Sequence, residues 1–145
     1  MFYNNVFCSA GLFMLQIERL NVLLEALGGS ALRPLLHEGE ILFGRCADEL
    51  LQCAQVAARA DLRALAHLRR GQAAILGCDR LARALEALEG LAADVTHSHA
   101  MLLDQIAAIG PIARDAAAAL CAYASQLPGF GSVNGPATNP PRTRQ

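Results

Sequence analysis

The chain has no tryptophan and no lysine, and only five Phe and two Tyr. Without lysine there is no phosphate-loop lysine, and neither GxGxxG nor GxSxG occurs. All basic residues are Arg, a pattern that a coding bias explains. The formal net charge is −1, which excludes the electrostatic footprint of a nucleic-acid binder. The closing "RTRQ" adds two positive charges, too few for a nucleic-acid arm. Bulky side chains are scarce, so the core is expected to be thin-walled, with helices approaching closely.

Paired-cysteine motifs are also missing. Cys8, Cys46, Cys53, Cys78 and Cys121 are odd in number and none forms a CxxC pair. Cys46 and Cys53 lie seven apart, on one helical face at apolar positions. Cysteine there acts as a small buried hydrophobe, so reduced core thiols are expected ahead of disulfides or metal ligands, and with them a reducing cytoplasm. The start, "MFYNNVFCSAGLFMLQ", has no basic n-region. Its apolar run falls short of the ~20 residues of a bilayer span, and no membrane span is expected elsewhere. Met14 is a candidate start, which would make residues 1–13 an extension.

No catalytic grouping is present, so neither an enzyme nor a cofactor is expected. Asp94 and His97, at i and i+3, could share a helix face. A di-metal bundle site needs two acid-x-x-His pairs and further carboxylates, so no metal is expected. His99 falls on an apolar seam and is expected to be a core or interface histidine, with His97 exposed. His67 has no acid or base partner nearby in sequence.

What the chain does have is helix. At 145 residues and 54% apolar it is long enough for one domain with a core, and much of that apolar content is Ala, the best helix former. A first helix is expected over residues 12–27, with Ile17, Leu20, Leu24 and Leu27 as its stripe. Gly28-Gly29 ends it. Ser30 is a candidate cap for the second helix, Pro34 fits that helix's first turn, and His37-Glu38 with Glu40 suit its start. The second helical region is expected to be long. Leu35, Leu42, Cys46, Leu50 and Cys53 lie along one side, followed by Leu62, Leu65, Leu68, Ile75 and Leu76. It is read through Gly71 to a turn near Gly90. Three adjacent apolar pairs, Leu35-Leu36, Leu42-Phe43 and Leu50-Leu51, diverge by about 100° around the helix. One member of each packs inward and the other widens the apolar face, either for a wide three-helix core or for a partner groove.

The third helix carries a heptad-like seam: Ala92, Val95, His99, Leu102, Ile106, Ile109, Ala113, Ala116, Leu120, Tyr123 and Leu127. It would run roughly 50 Å, with a kink at Gly110-Pro111. The expected fold is all-α, an elongated antiparallel helical hairpin or three-helix bundle over residues 14–127. A disordered Gly/Pro-rich tail is expected over 128–145, with Phe130 its one large apolar anchor.

Two stretches resemble a known family. In "ELLQCAQVAARADLRALAHLRRGQAAIL", residues 49–76, Leu50-Leu51 leads through small residues to Asp61-Leu62, then Leu65 and Leu68. In "HAMLLDQIAAIGPIARDAAAAL", His99, Leu102-Leu103 and Gly110 stand where a second signature has a polar residue, a Leu-Leu pair and a glycine. "GFGSVNGP" is similar to a Gly/Pro-containing tail. Together, over about residues 45–135, these resemble the FlgN-like flagellar export chaperones. The resemblance implies a cytoplasmic, non-enzymatic type III export chaperone. Its clients would be flagellar hook–filament junction proteins, held unpolymerised by helix-in-groove recognition. Leu102, Leu103, Ile106, Ile109, Leu120 and Phe130 are the expected client-binding residues, although the five helical ones equally fit a plain core. Two other readings stay open. One is a phasin-like protein coating polyester granules, and the other a self-assembling coiled-coil scaffold with the seam as homo-oligomer interface.

Overall fold

The computed structural model describes residues 15–127. The extension 1–13, the tail 128–145, Cys8 and Phe130 lie outside the described residues. The described residues are all-helical, in five helices: α1 (Ile17–Leu27), α2 (Gly29–Val56), α3 (Arg59–Ile75), α4 (Asp79–Ala93) and α5 (His99–Ser125). The long second region expected from the pattern is therefore three helices. Gly90 lies inside α4, and Gly71 inside α3.

The breaks have local causes. Gly28 adopts φ +79° and its N–H donates to the Leu24 carbonyl, ending α1 where the Gly-Gly pair predicted. Gly77 is the second left-handed glycine, at φ +75°. Around it the Cys78 N–H donates to the Ala73 carbonyl and the Gly77 N–H to the Ala74 carbonyl. This is a Schellman ending, with buried Ala73 and Cys78 as its apolar contact. At the α4–α5 turn, Asp94 Oδ1 accepts from the Thr96 N–H and hydroxyl, and Ser98 Oγ accepts from the Met101 N–H as the cap of α5. The break at Ala57-Ala58 has neither a glycine, a proline nor a side-chain cap.

Several expectations near the helix starts are corrected. α1 begins at Ile17, not residue 12. α2 begins at Gly29, so Ser30 is inside it and makes no capping bond, and Pro34 with His37, Glu38 and Glu40 lie beyond its first turn. α5 begins at His99, so Ala92 and Val95 do not belong to it. It continues through Pro111 as one helix.

α2, α3, α4 and α5 pack in a ring, α2 on α3, α3 on α4, α4 on α5 and α5 back on α2. Neighbours run antiparallel. Arg33, early in α2, donates to the carbonyls of Ala124 and Leu127 at the end of α5, 2.9 and 3.0 Å. Arg69 of α3 pairs with Glu49 of α2 at 2.7 Å. Arg70 reaches Glu89 at 3.2 Å, and His67 reaches the same carboxylate at 2.8 Å, joining α3 to α4. His67 thus gains from α4 the acid partner its own segment lacks. α1 lies against the end of this ring: Gln16 N–H donates to the Gly77 carbonyl, Arg19 bridges Asp79, and Asn21 accepts from the Tyr123 hydroxyl.

The core follows heptad-like spacing. α2 buries Leu32, Leu36, Gly39, Phe43, Cys46 and Leu50, and α5 buries Leu102, Ile106, Ile109, Ala113, Ala116, Leu120 and Tyr123. No polar side chain is buried among the described residues. α5 is the one described helix long and apolar enough to cross a membrane by length and composition, where the apolar runs led to no such expectation. Half of its apolar window is buried inside the protein.

Arg33 holds two of the orphan carbonyls at the end of α5 and sets a cation beside the negative helix end. Arg33→Ala is expected to cost roughly 1–2 kcal/mol, read as a lower urea midpoint with an unchanged slope.

Candidate functional site

The five helical residues expected to bind a client separate on burial. Leu102, Ile106, Ile109 and Leu120 are between 0% and 3% exposed, and Leu103 is half-buried. The first four are the inner face of α5, so the plain-core alternative is the one they fill. A buried side chain offers no contact to a partner while the helix ring is closed. His99 is exposed, not in the core, and Val95 is 84% exposed in the α4–α5 turn. His97 is half-buried, its Nε2 3.5 Å from Asp94 Oδ2.

The apolar surface lies elsewhere. In α2 the inward members of the adjacent pairs are Leu36, Phe43 and Leu50, each 0–1% exposed. Their neighbours remain outside: Leu35 is 42% and Leu51 38% exposed, and Leu42 is half-buried. In α3, Leu62 is buried, but Leu68 and Ile75 are 55% and 63% exposed, not part of an inward stripe. Leu27 of α1 also turns outward.

Of these, Leu27, Leu35, Leu42 and Ile75, from three helices, meet in one groove of about 280 Å³. Leu23 and Leu27 of α1 form one wall, Leu35, Gly39 and Leu42 of α2 the floor, and Ile75 with the adjoining Leu76 the other wall. Glu38 and Gln72 are its only polar lining residues. Gly39 sets the depth: a Cβ there would lie 2.5 Å from Leu76 Cδ1 and 3.1 Å from Leu120 Cδ1. The i, i+7 spacing of Leu35 and Leu42, and of Leu68 and Ile75, keeps each pair on one helical side.

A shallow concavity of about 650 Å³ between α3 and α4 holds Arg59, Arg63, His67 and Glu89. Arg59 donates to the carbonyls of Asp94 and His97 and so ties down the α4–α5 turn. The Thr96 hydrogen bonds hold the Asp94 carboxyl below its ordinary range. No group of three or more His, Cys, Asp and Glu side chains is placed to hold a metal ion among the described residues.

The four described cysteines are free thiols. Cys46 and Cys78 are buried, as expected of core thiols, whereas Cys53 is half-buried and Cys121 exposed on α5. Burial pushes the Cys46 thiol up from 9.0 to about 11, and burial with the Asp79 charge pushes Cys78 up to about 12. Such thiols are inert. The Glu40 charge, ahead of desolvation, raises Cys121.

These shifts set a pH dependence. Below the unfolded value both states keep the proton, and the contribution to stability is whole. Above it the unfolded chain releases protons that the folded chain retains, so stability falls as pH rises toward the folded values. From about pH 8 to about pH 11 the melting temperature is expected to drop, and a Cys46→Ala/Cys78→Ala variant is expected to show a flatter profile over that range. Thiol titration of the native protein is expected to modify Cys121 readily and Cys46 and Cys78 only on unfolding.

Comparison with family models, with curated proteins and with solved structures finds no match for this chain.

Proposed function

We propose that the protein is a non-enzymatic chaperone or adaptor that holds an apolar face of a client helix in the groove between α1, α2 and α3. The observation that carries this reading is the groove itself: six aliphatic residues from α1, α2 and the end of α3, with a single charged lining residue. Helix-in-groove recognition reads anchors at i, i+3, i+4 and i+7. The Leu35–Leu42 floor spans seven residues, about 10 Å of helix, which matches two turns of such a client. The outward Leu68, on the Ile75 side of α3, extends the apolar surface beyond the groove's end.

The FlgN-like pattern of Leu50-Leu51, Asp61-Leu62 and the Leu102-Leu103…Gly110 run supplies the client class. The clients are the C-terminal amphipathic segments of flagellar hook–filament junction proteins, kept unpolymerised in the cytoplasm before type III export. The Leu102 and Gly110 positions of that pattern are buried, so their part is to build the bundle, and the client contacts fall to the outward residues of α2 and α3.

The test is calorimetric titration of the full chain with synthetic C-terminal segments of junction proteins from the same genome. Saturable one-to-one binding is the expected result. Absence of binding, together with recovery of the protein on polyester granules, would favour the phasin-like reading. Concentration-dependent dimerisation lost on mutating the groove would favour a self-assembling scaffold.

A further inference from the structure

We propose that the seam between α3 and α4 is a second docking surface, one that takes an acidic helical segment of a partner protein. It stands apart from the groove between α1, α2 and α3. Arg59, Arg63, His67, Arg70 and Ala74 recur at three and four along α3 and so share one side of it, away from Leu68 and Gln72. They face α4 across three adjoining concavities of about 650, 210 and 310 Å³. Arg63 borders the first two and Arg70 the last two. Charge distinguishes this part of the molecule. α3 and α4 carry six Arg against four Asp and Glu, whereas the other described residues carry four against nine.

Every carboxylate bordering the seam already faces a cation. Asp79 lies 2.8 Å from Arg19, Glu86 3.7 Å from Arg70, and Glu89 3.2 Å from Arg70 and 2.8 Å from His67. Arg59 is engaged by the Asp94 and His97 carbonyls. Arg63 and Arg83 are exposed and make no hydrogen bond or ion pair among the described residues. The seam therefore holds two guanidinium groups in excess, one on each helix. Arg63 shares a concavity with Gly90, which lies about 10 Å beyond Arg83 along the α4 axis. Carboxylates at i and i+7 of a helix lying along the seam match that spacing. Between the arginines the lining is small: Ala60 and Ala64 of α3, Ala82 and Ala93 of α4, and Gly90, where a Cβ would meet no heavy atom within 4 Å. Small side chains at the contact let helix axes come close. A nucleic acid fits less well. Glu86 and Glu89 would repel a continuous run of phosphates, and no Phe, Tyr or Trp lines the seam for bases to stack on.

The experiment titrates the full chain into a fluorescein-labelled, alanine-rich helical peptide with Glu at every seventh position, and reads anisotropy. Saturable binding is expected, lost when Gln replaces the glutamates and weakened as salt rises from about 0.1 to about 1 M. Arg63→Gln/Arg83→Gln is expected to weaken it about tenfold, each exposed pair contributing up to about fivefold. Its melting temperature is expected to stay unchanged, since neither side chain holds another part of the fold. Arg45→Gln/Arg114→Gln removes the same charge from α2 and α5 and is expected to leave binding within about twofold. Gly90→Leu keeps every charge, obstructs the floor and favours helix, so it is expected to weaken binding without lowering the melting temperature. Equal effects of the two arginine pairs would reduce the interaction to net charge and overturn the proposal. Undiminished binding in Gly90→Leu, no binding of the Glu peptide, or tighter binding of a single-stranded oligonucleotide of equal charge would overturn it as well. The peptide has no large apolar side chain for the α1–α2–α3 groove, so this outcome and that of the client titration are independent.

Discussion

Ile106→Asp is expected to leave the chain without a folded bundle. Ile106 is 3% exposed on the inner face of α5, where no buried polar side chain stands among the described residues to receive a carboxylate. Losing the buried aliphatic side chain costs about 2–5 kcal/mol by itself. An unpaired carboxylate in that site adds several more, or forces its own protonation. Against a total stability of about 5–15 kcal/mol for a domain, the sum removes most or all of the margin. Circular dichroism is expected to show lost helicity, or a melting transition lowered by tens of degrees. Leu103→Asp, one turn earlier in α5 and half-buried, is expected to melt cooperatively with a modest loss. The contrast separates a core face from a half-buried flank on the same helix.

The second large effect is on binding. The double substitution Leu35→Asp/Ile75→Asp is expected to keep the melting temperature within a few degrees and to weaken client-segment affinity at least about a hundredfold. Both side chains already contact water, at 42% and 63% exposure, so the fold loses little by their replacement. A client helix would lose two aliphatic contacts, each worth about 1.5–3 kcal/mol when fully buried, and would meet carboxylates it must desolvate. Each 1.4 kcal/mol is about tenfold in affinity, so a hundredfold loss is the lower end of the range. Gly39→Val acts differently: it places carbon where Leu76 and Leu120 already sit, fills the floor from below, and is expected to lower stability and binding together.

The helical class was legible because alanine and leucine dominate and turn residues are few. The end of α1 was legible too, since Gly28-Gly29 is a strong stop and Gly28 takes the left-handed backbone. The number of helices was not. Gly77-Cys78-Asp79 carries a readable stop signal, but it stands in the same run as Gly71 and Gly90, which cost α3 and α4 only propensity. At Ala57-Ala58 no residue type marks the break, and both flanks are good helix formers. The seam read through residues 92–127 is broken where Val95 enters an exposed turn. Alanine fits both faces of a helix, so an unbroken 3–4 rhythm in an Ala-rich stretch does not fix where the helix begins.

The candidate site was half legible for a related reason. Adjacent pairs such as Leu35-Leu36 announce that one apolar side chain must turn outward, and local sequence does not say which. Partner helices decide it: Leu36 and Phe43 meet the interior while Leu35 and Leu42 border α1 and α3. Leu102, Ile106, Ile109 and Leu120 were the most regular apolar residues in the chain, and that regularity is the mark of a core seam packed on both sides.

The proposed function rests on one surface. Titration of a methyl-labelled full chain with a junction-protein C-terminal segment, followed by NMR, tests it residue by residue. The groove methyls of Leu23, Leu35, Leu42 and Ile75 are expected to shift and saturate together, with those of Ile106, Ile109 and Leu120 nearly still. Saturating shifts centred on the α5 methyls, with Leu35 and Ile75 unmoved, would contradict it.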